Sequence, residues 1–379
     1  MSRIRVVIDT ISLVRASTGI RTYTIELCKA AEEQSESGEI EYLIYPSWKK
    51  VDKFFFFGGD QHFFKRMLHH IFYFFWKQLI LPIFCVLKKA DALICPDYVL
   101  PLWKLNLLKI GVVHSPFFWE YPQHYNSIWL RYYVKMINAG FGGDSIISTT
   151  SEYTKQAISN YLKPKSPIEV VYQSPKHIQG ISHEQIHDYL DLLHEKFILH
   201  VGYFDKRKNL STLIKAFSEM LMNDSSLNIK LVLAGGRATG SSDDYDNVVK
   251  LVESLGLKSK VILTGYVSEL ELEFLYRRSL LYVFPSFNEG FGIPVLEAMG
   301  MGVPVIVSDS GSLREIGGDA VEVFSTFDER ELSQKMAKLI KEDTQRKFLI
   351  EKGFERHRMF SRRDFLRQYE KLIISRIKD

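Results

Sequence analysis

The sequence predicts an α/β protein made of two doubly wound domains. Three observations lead there. The chain has 379 residues, more than one ordinary core organises. Short runs rich in Val, Ile and Leu recur in both halves, and each run is followed by a stretch with helical spacing, the pattern of βα units on a parallel sheet. A content of 46% hydrophobic and 25% charged residues supports packed cores rather than disorder.

In the first half the predicted strands are 3–9, 40–46, 91–95, 108–114, 144–149 and 168–172. In the second half they are 197–202, 229–235, 260–267, 280–285, 303–308 and 321–325. Between the two sets lies 173–196, with Pro175, Gly180 and a polar helical stretch. It divides the chain into expected Rossmann-like domains at 1–178 and 179–379, with a last helix over about 362–378 whose pattern suits packing on either one. Ligands of such sheets bind beyond the carboxyl ends of the strands, so the cleft between two facing sheets is the expected site.

Residues 53–88 depart from this regularity. Phe54 to Phe57 form a run of four, and Ile71-Phe72-Tyr73-Phe74-Phe75-Trp76 is followed by a second apolar stretch from Leu79 to Leu87. Lys77, Gln78 and Pro82 interrupt it, which argues against a membrane-spanning helix. Two readings stay open: a helix buried on the first sheet, or a surface dipping into a membrane with Lys49, Lys50, Lys53, Lys65 and Arg66 facing anionic headgroups.

Charge and cysteine content narrow the function. A net charge of +4 is far from the basic stripe of a nucleic-acid binder, but suits phosphorylated ligands or an anionic membrane surface. Cys28, Cys85 and Cys95 form no CxxC pair and leave an odd count, so neither a zinc site nor a disulfide framework is expected. That usage suits a reducing cytoplasm, and Arg3 to Asp9 reads as a first strand rather than a signal peptide.

The most informative stretch runs from Phe284 to Met299 and reads strand, glycine-rich turn, helix. Pro294 suits the first helical position, and Gly290 and Gly292 let the backbone come close to a ligand. Amides at Phe291, Gly292 and Ile293, together with the helix dipole, make a phosphate site. The plain alternative is an ordinary βα turn. Seven residues separate Glu289, before the turn, from Glu297, read as part of the first helical turn, so two carboxylates flank the amides. One is placed to bind hydroxyls of a transferred sugar, the other hydroxyls of a ribose.

These residues resemble the retaining glycosyltransferases of family 4 with the GT-B fold, also called glycosyl transferases group 1, whose hallmark is the same Glu, seven residues, Glu arrangement. The surrounding words Glu-Gly-Phe-Gly-Ile-Pro-Val-Leu-Glu-Ala-Met and Gly302-Val303-Pro304-Val305-Ile306 are similar too. In Val201 to Leu210, Arg207 and Lys208 occupy the positions at which the family grips the donor diphosphate. Fixed cations stabilise a departing diphosphate best where water is scarce. Ser17-Thr18-Gly19-Ile20 resembles the family's glycine loop near the donor phosphate, and His114 its histidine on the donor sugar, with Ser115 where many relatives carry Asp. The resemblance covers most of the chain, most densely 197–318 and least 48–90 and 116–140.

Other motifs fall away. The full G-x-G-x-x-G fingerprint is absent after the first strand, Gly235 to Gly240 lacks the ending of a P-loop, and Ser308 to Ser312 lacks a nucleophile elbow. Asp243, Asp244 and Asp246 read as solvated loop carboxylates rather than a metal site.

The resemblance implies a retaining, metal-independent transfer from a nucleotide-diphosphate sugar to a glycan or lipid-linked acceptor hydroxyl, in cell-surface polysaccharide synthesis. GDP-mannose is the first expected donor, then UDP-sugars. Arg207, Lys208 and the amides near Gly292 would stabilise the leaving group, Glu289 and His114 the sugar, and Glu297 the ribose. No resident cofactor and no nucleic acid are expected, and the place of work is the cytoplasm at the inner face of the membrane. The rivals are a nucleotide-sugar epimerase or hydrolase of the same fold and an inactive scaffold subunit.

Overall fold

The computed structural model describes residues 3–14, 16, 19–34, 38–53, 63–162, 166–176, 195–237 and 242–378. The backbone divides into two units, Met1–Pro175 with Phe360–Asp379, and Lys176–Met359. The expected boundary at 178/179 lies outside the described residues.

Unit 1 is built on a six-stranded parallel sheet of β1 (Ile4–Asp9), β2 (Ile40–Tyr45), β3 (Ala92–Cys95), β4 (Leu108–Val113), β5 (Ser145–Thr149) and β6 (Ile168–Val170). Its order is β2-β1-β3-β4-β5-β6. Each strand falls inside a predicted run. β3 and β5 are buried along their whole length, as strands covered by helices on both faces must be. The order reverses between β1 and β3, and such a reversal leaves a crevice beyond the strand ends.

The last helix, Arg362–Lys378, packs on this unit. Phe365, Leu366, Tyr369 and Ile373 join Val6, Ile8, Tyr23 and Leu27 in one core. Tyr369 OH bonds Tyr23 OH, and Arg362 pairs with Glu26 at 2.7 Å.

The apolar stretch forms helix Phe63–Phe75, a π-turn over Trp76–Ile80 and helix Leu81–Leu87. The four-Phe run and the rest of 54–62 lie outside the described residues. Lys77 and Gln78, expected to interrupt the segment, are instead buried, because the extra residue of the π-turn carries them inward to polar partners. Leu68–Leu87 is long and apolar enough to cross a membrane, and a third of it is buried. Its outer face exposes Leu68, Ile71, Phe72, Phe75, Ile83 and Val86.

Unit 2 carries β7 (Phe197–Val201), β8 (Lys230–Ala234), β9 (Val261–Gly265), β10 (Leu281–Phe284), β11 (Val305–Ser308) and β12 (Val321–Phe324). All pairs are parallel, in the order β12-β11-β10-β7-β8-β9, and the reversal lies between β7 and β10. Here too every predicted run holds a strand.

Candidate functional site

The β7/β10 reversal gathers the second unit's polar residues. After β7 the chain makes one 3-10 turn, Lys206–Lys208, started by Asp205, whose Oδ1 accepts the Arg207 amide at 2.9 Å. Asn209 then takes a left-handed conformation (φ 51°), donates from Nδ2 to Pro285 O and opens helix Leu210–Asn223. The turn thus tethers β7 to the segment after β10. Phe287 N and Ser286 Oγ both donate to Arg207 O at 2.9 Å, closing the crevice with backbone contacts.

Within it, Lys208 Nζ donates to Glu289 Oε1 at 2.7 Å and lies 4.6 Å from the centre of the Phe284 ring. Ser286 Oγ also reaches Glu289 Oε1, at 2.8 Å. The pair is mostly but not fully buried, with side-chain exposures of 14% and 16%. Arg207 is paired with Asp205 at 2.7 Å and keeps a third of its side chain exposed. Two ion pairs, Lys208–Glu289 and Arg207–Asp205, thus lie on neighbouring residues where solvent still enters, so an incoming phosphate can compete for the ammonium and guanidinium.

Beneath Lys208, buried His200 donates from Nδ1 to Val283 O at 3.0 Å and stacks on Phe284. Burial pushes its pKa down to about 3, against the opposing effect of the Val283 bond and helped by the nearby Lys208 charge. It is a neutral platform, not a third cation. Sequence reasoning missed it; a polar residue inside an otherwise apolar strand was the available signal.

Helix Ile293–Gly300 begins beyond the glutamate turn. Its cap Gly292 has φ 103°, a conformation that favours glycine, and a Cβ there would also crowd the end of the Leu313 side chain at 2.8 Å. Gly311 comes so close to the Glu289 backbone that a Cβ would lie 2.7 Å from its carbonyl oxygen. Ser312 N and Oγ donate to that same oxygen at 3.1 and 3.0 Å. Glu289 is held from both sides. Phe291 and Ile293 are buried at the helix start, beside the amides expected to face phosphate.

Two local expectations need correction. Pro294 is the second helical residue and Glu297 the fifth, so Glu297 lies past the first turn because the helix starts only after the left-handed Gly292. Its Oε2 accepts from Tyr276 OH at 3.2 Å, and burial keeps that phenol protonated as a donor. Asp243, Asp244 and Asp246 lie in helix Ser242–Ser254, not in a loop. Asp244 accepts the Lys206 amide at 3.0 Å and Asp246 pairs with Arg237 at 2.6 Å.

In unit 1, Gly19 opens helix Gly19–Gln34, and a Cβ there would meet nothing within 4 Å. Ser17 and Thr18 lie outside the described residues. Half-buried His114 follows β4 and bonds Pro96 O through Nε2 at 2.8 Å, which makes Nε2 the protonated nitrogen. Tyr23 and Tyr98 meet its ring edge-on. Burial lowers its pKa to about 4, outweighing the Pro96 bond and Asp97.

The β1/β3 reversal holds a cluster that sequence reasoning missed. Lys77 Nζ lies 2.6 Å from Asp9 Oδ2 and 2.6 Å from Asp97 Oδ1, with no exposed side-chain area. Tyr73 OH donates to Asp97 Oδ2 at 2.6 Å, and Trp76 Nε1 to Asp9 Oδ1 at 3.0 Å. Asp9, Cys95 and Asp97 are close enough together to hold a metal ion, but the ammonium stands between the carboxylates. The signal lay in two aspartates at strand ends, Asp9 closing one predicted strand and Asp97 two residues beyond another, with nothing in the sequence to pair them with Lys77.

Comparison with known proteins places this architecture. Residues 183–356 match the family model described as glycosyl transferases group 1. An O-antigen chain mannosyltransferase B of Escherichia coli is 28% identical over 258 residues, 63% of this chain and 63% of that one. The chain therefore spans less than two thirds of that relative. Among solved structures, a sucrose-phosphate synthase from Thermosynechococcus elongatus superposes with a TM-score of 0.73 at 17% identity, covering 98% of this chain and 99% of that one. HepE of Anabaena, solved in complex with UDP and glucose, gives 0.69 at 16%, covering 98% and 100%. With two six-stranded parallel sheets and these structural likenesses, the chain has the GT-B fold and carries a glycosyl transferases group 1 domain.

Proposed function

We propose that the protein transfers a sugar, with retention, from a nucleotide-diphosphate donor to a hydroxyl of a glycan or lipid-linked acceptor in cell-surface polysaccharide synthesis. The observation that carries this reading is the Lys208–Glu289 pair at 2.7 Å, set at a strand-order reversal beside the Gly292 helix start. Arg207, Lys208 and the amides of Phe291 to Ile293 take the diphosphate as the bond to the sugar breaks. Glu289, released from Lys208, accepts hydroxyls of the transferred sugar. Glu297 and Gly19 complete donor binding, and neutral His114 hydrogen-bonds the sugar. The departing phosphate oxygen serves as base for the acceptor, so the reaction needs no separate pair of acid and base carboxylates.

GDP-mannose is the first donor proposed, by analogy with the mannosyltransferase relative, and UDP-sugars the second. Metal independence is part of this reading; Arg207 and Lys208 at the proposed diphosphate site, and the engagement of Asp244 and Asp246 by Lys206 N and Arg237, support it. NMR of the product anomer tests retention. Loss of transfer in EDTA with rescue by manganese would refute metal independence. An epimerase or hydrolase would consume donor without acceptor, and a scaffold would do neither.

The exposed apolar face of Leu68–Leu87 supports peripheral contact with an anionic leaflet from the cytoplasmic side. The full chain should cosediment with anionic vesicles at low salt. Failure to do so removes this part of the reading.

A further inference from the structure

The transfer reading requires Lys208 to let go of Glu289, its partner at 2.7 Å, before that carboxylate can take hydroxyls of the sugar. An ammonium carries three donors, and one that changes partner in a mostly buried crevice needs an acceptor to receive it. His200 supplies one. It lies on β7 with no exposed area, and Nδ1 donates to Val283 O at 3.0 Å, which leaves the lone pair on Nε2. Among the described residues that nitrogen is buried without a hydrogen-bond partner. Native folds keep few such acceptors, because each forfeits the bonds it made to water.

Gly202 shows where the open nitrogen points. A Cβ built there would stand 3.5 Å from His200 Nε2 and 3.4 Å from Lys208 Cε, so the ring nitrogen and the last methylene of the lysine border one small hollow. The two side chains also share the Phe284 ring. His200 stacks on it at 5.7 Å between centroids and 16° from parallel, and Lys208 Nζ lies 4.6 Å from its centre. Rotation about the Cδ–Cε bond re-aims the ammonium without moving the rest of the chain. Burial keeps the imidazole neutral, with a pKa held down to about 3. A neutral acceptor differs from Glu289 in that it takes a hydrogen bond from Lys208 and cancels none of its charge.

We propose that His200 positions Lys208 for the leaving group. When Glu289 turns to the sugar, the ammonium donates one hydrogen to His200 Nε2 and the others to the diphosphate, so its full charge faces the oxygen from which the sugar departs. Glu289 and His200 are thus two alternative seats of one lysine, the first holding it at rest and the second during the reaction. This role rests on the transfer reading above.

Isothermal titration of the full chain with GDP and UDP tests it, because both carry the diphosphate charge that appears as the sugar leaves, and GMP and UMP are the controls. At least one diphosphate should bind the wild type. His200→Asn keeps the bond to Val283 O but has no acceptor at the Nε2 position, and should weaken that diphosphate about tenfold while leaving its monophosphate unchanged. In a Lys208→Ala background the same substitution should change nothing further, a coupling that packing alone does not produce. His200→Gln and His200→Leu, close in size, repeat the comparison should His200→Asn fail to fold. The glutamine, which offers an amide oxygen near the lost nitrogen, should bind the diphosphate about tenfold more tightly than the leucine. Equal diphosphate affinity in His200→Asn and the wild type, equal losses for mono- and diphosphate, or the same loss with and without Lys208 would overturn the positioning role and leave the transfer reading standing. A wild type that binds neither diphosphate would instead refute the transfer reading, and the role of His200 with it.

Discussion

Each sheet reverses strand order once, and each reversal holds a lysine against carboxylate, yet the two lysines live in different media. Lys77, at β1/β3, touches two aspartates and has no exposed side-chain area. Lys208, at β7/β10, touches one glutamate and is 14% exposed. A fully desolvated ammonium with two partners cannot exchange them cheaply, because each charge left behind would be buried alone. A partly solvated one can trade a carboxylate for a phosphate. Topology gives both places a crevice; the degree of burial decides which lysine is locked as scaffold and which stays open to an exchange of partners.

The largest expected effect is on the scaffold side. Lys77→Met leaves Asp9 and Asp97 side by side without a cation, a defect of about 3–5 kcal/mol. For a chain of this size that lowers Tm by roughly 10 °C. Adding Asp9→Asn and Asp97→Asn should recover part of the loss, since the attraction and the desolvation it offsets disappear together. Calorimetry of the single and triple variants checks this. A Lys77→Met protein that melts with the wild type would show that the two lysines do not differ as described.

On the chemical side the order is reversed, with activity lost and stability kept. Lys208→Ala should lower kcat about 10²- to 10³-fold, the usual loss when one fixed donor to a developing oxyanion is removed. Glu289→Gln should lower kcat by about ten- to hundredfold with little change in donor KM, because its contact is assigned to the sugar whose charge changes during reaction. Steady-state kinetics with GDP-mannose and UDP-sugars decides. If Lys208→Ala changes KM alone, the lysine binds the ground state and transition state equally.

The same contrast explains what the sequence could reveal. All twelve strands were legible because doubly covered parallel strands are nearly pure apolar runs of a fixed length. Glu289 and Glu297 were legible as a pair because local spacing carries them to one turn and the helix after it, whereas Arg207 and Lys208, in the turn after β7, were singled out only through the family resemblance. The cluster of Asp9, Lys77 and Asp97 was not, since its members are 68 and 20 residues apart and only the π-turn brings Lys77 inward. Lys77 read as an interruption of an apolar stretch when it is the stretch's anchor. The place of the last helix was hidden for a similar reason: Phe365, Leu366, Tyr369 and Ile373 announce an apolar face, but nothing in their spacing names Tyr23 and Leu27 as the surface it meets.

A smaller effect belongs to Glu297. Its contact with Tyr276 and its place in the second helical turn make it more than a charge at a helix end. Glu297→Gln should raise donor KM about tenfold with kcat nearly unchanged, the pattern of an interaction equal in ground and transition states. Tyr276→Phe should move KM in the same direction by less, since it removes only the hydroxyl that orients the carboxylate. Unchanged donor KM in Glu297→Gln would leave the residue a packing role alone.

The smallest effect per step is one the two units share. Burial holds His114 down to about 4 and His200 down to about 3, both from an ordinary 6.5. Between pH 6.5 and 4 the unfolded chain binds a proton at each that the folded chain refuses, so stability falls as the pH falls. The contribution is complete above 6.5 and is lost at up to about 1.4 kcal/mol per pH unit for each histidine. Comparison of denaturant midpoints at pH 7 and pH 5.5 isolates it, because most carboxylates titrate below that range. His200→Asn can keep the bond made by Nδ1, and His114→Gln the one made by Nε2, while removing the titration. Each single variant should flatten the slope by about half, and the double variant should nearly abolish it. A wild-type midpoint that does not move between pH 7 and 5.5 would mean that both imidazoles take up protons in the folded state as readily as in the unfolded chain, and the two crevices would then be wetter than their packing implies.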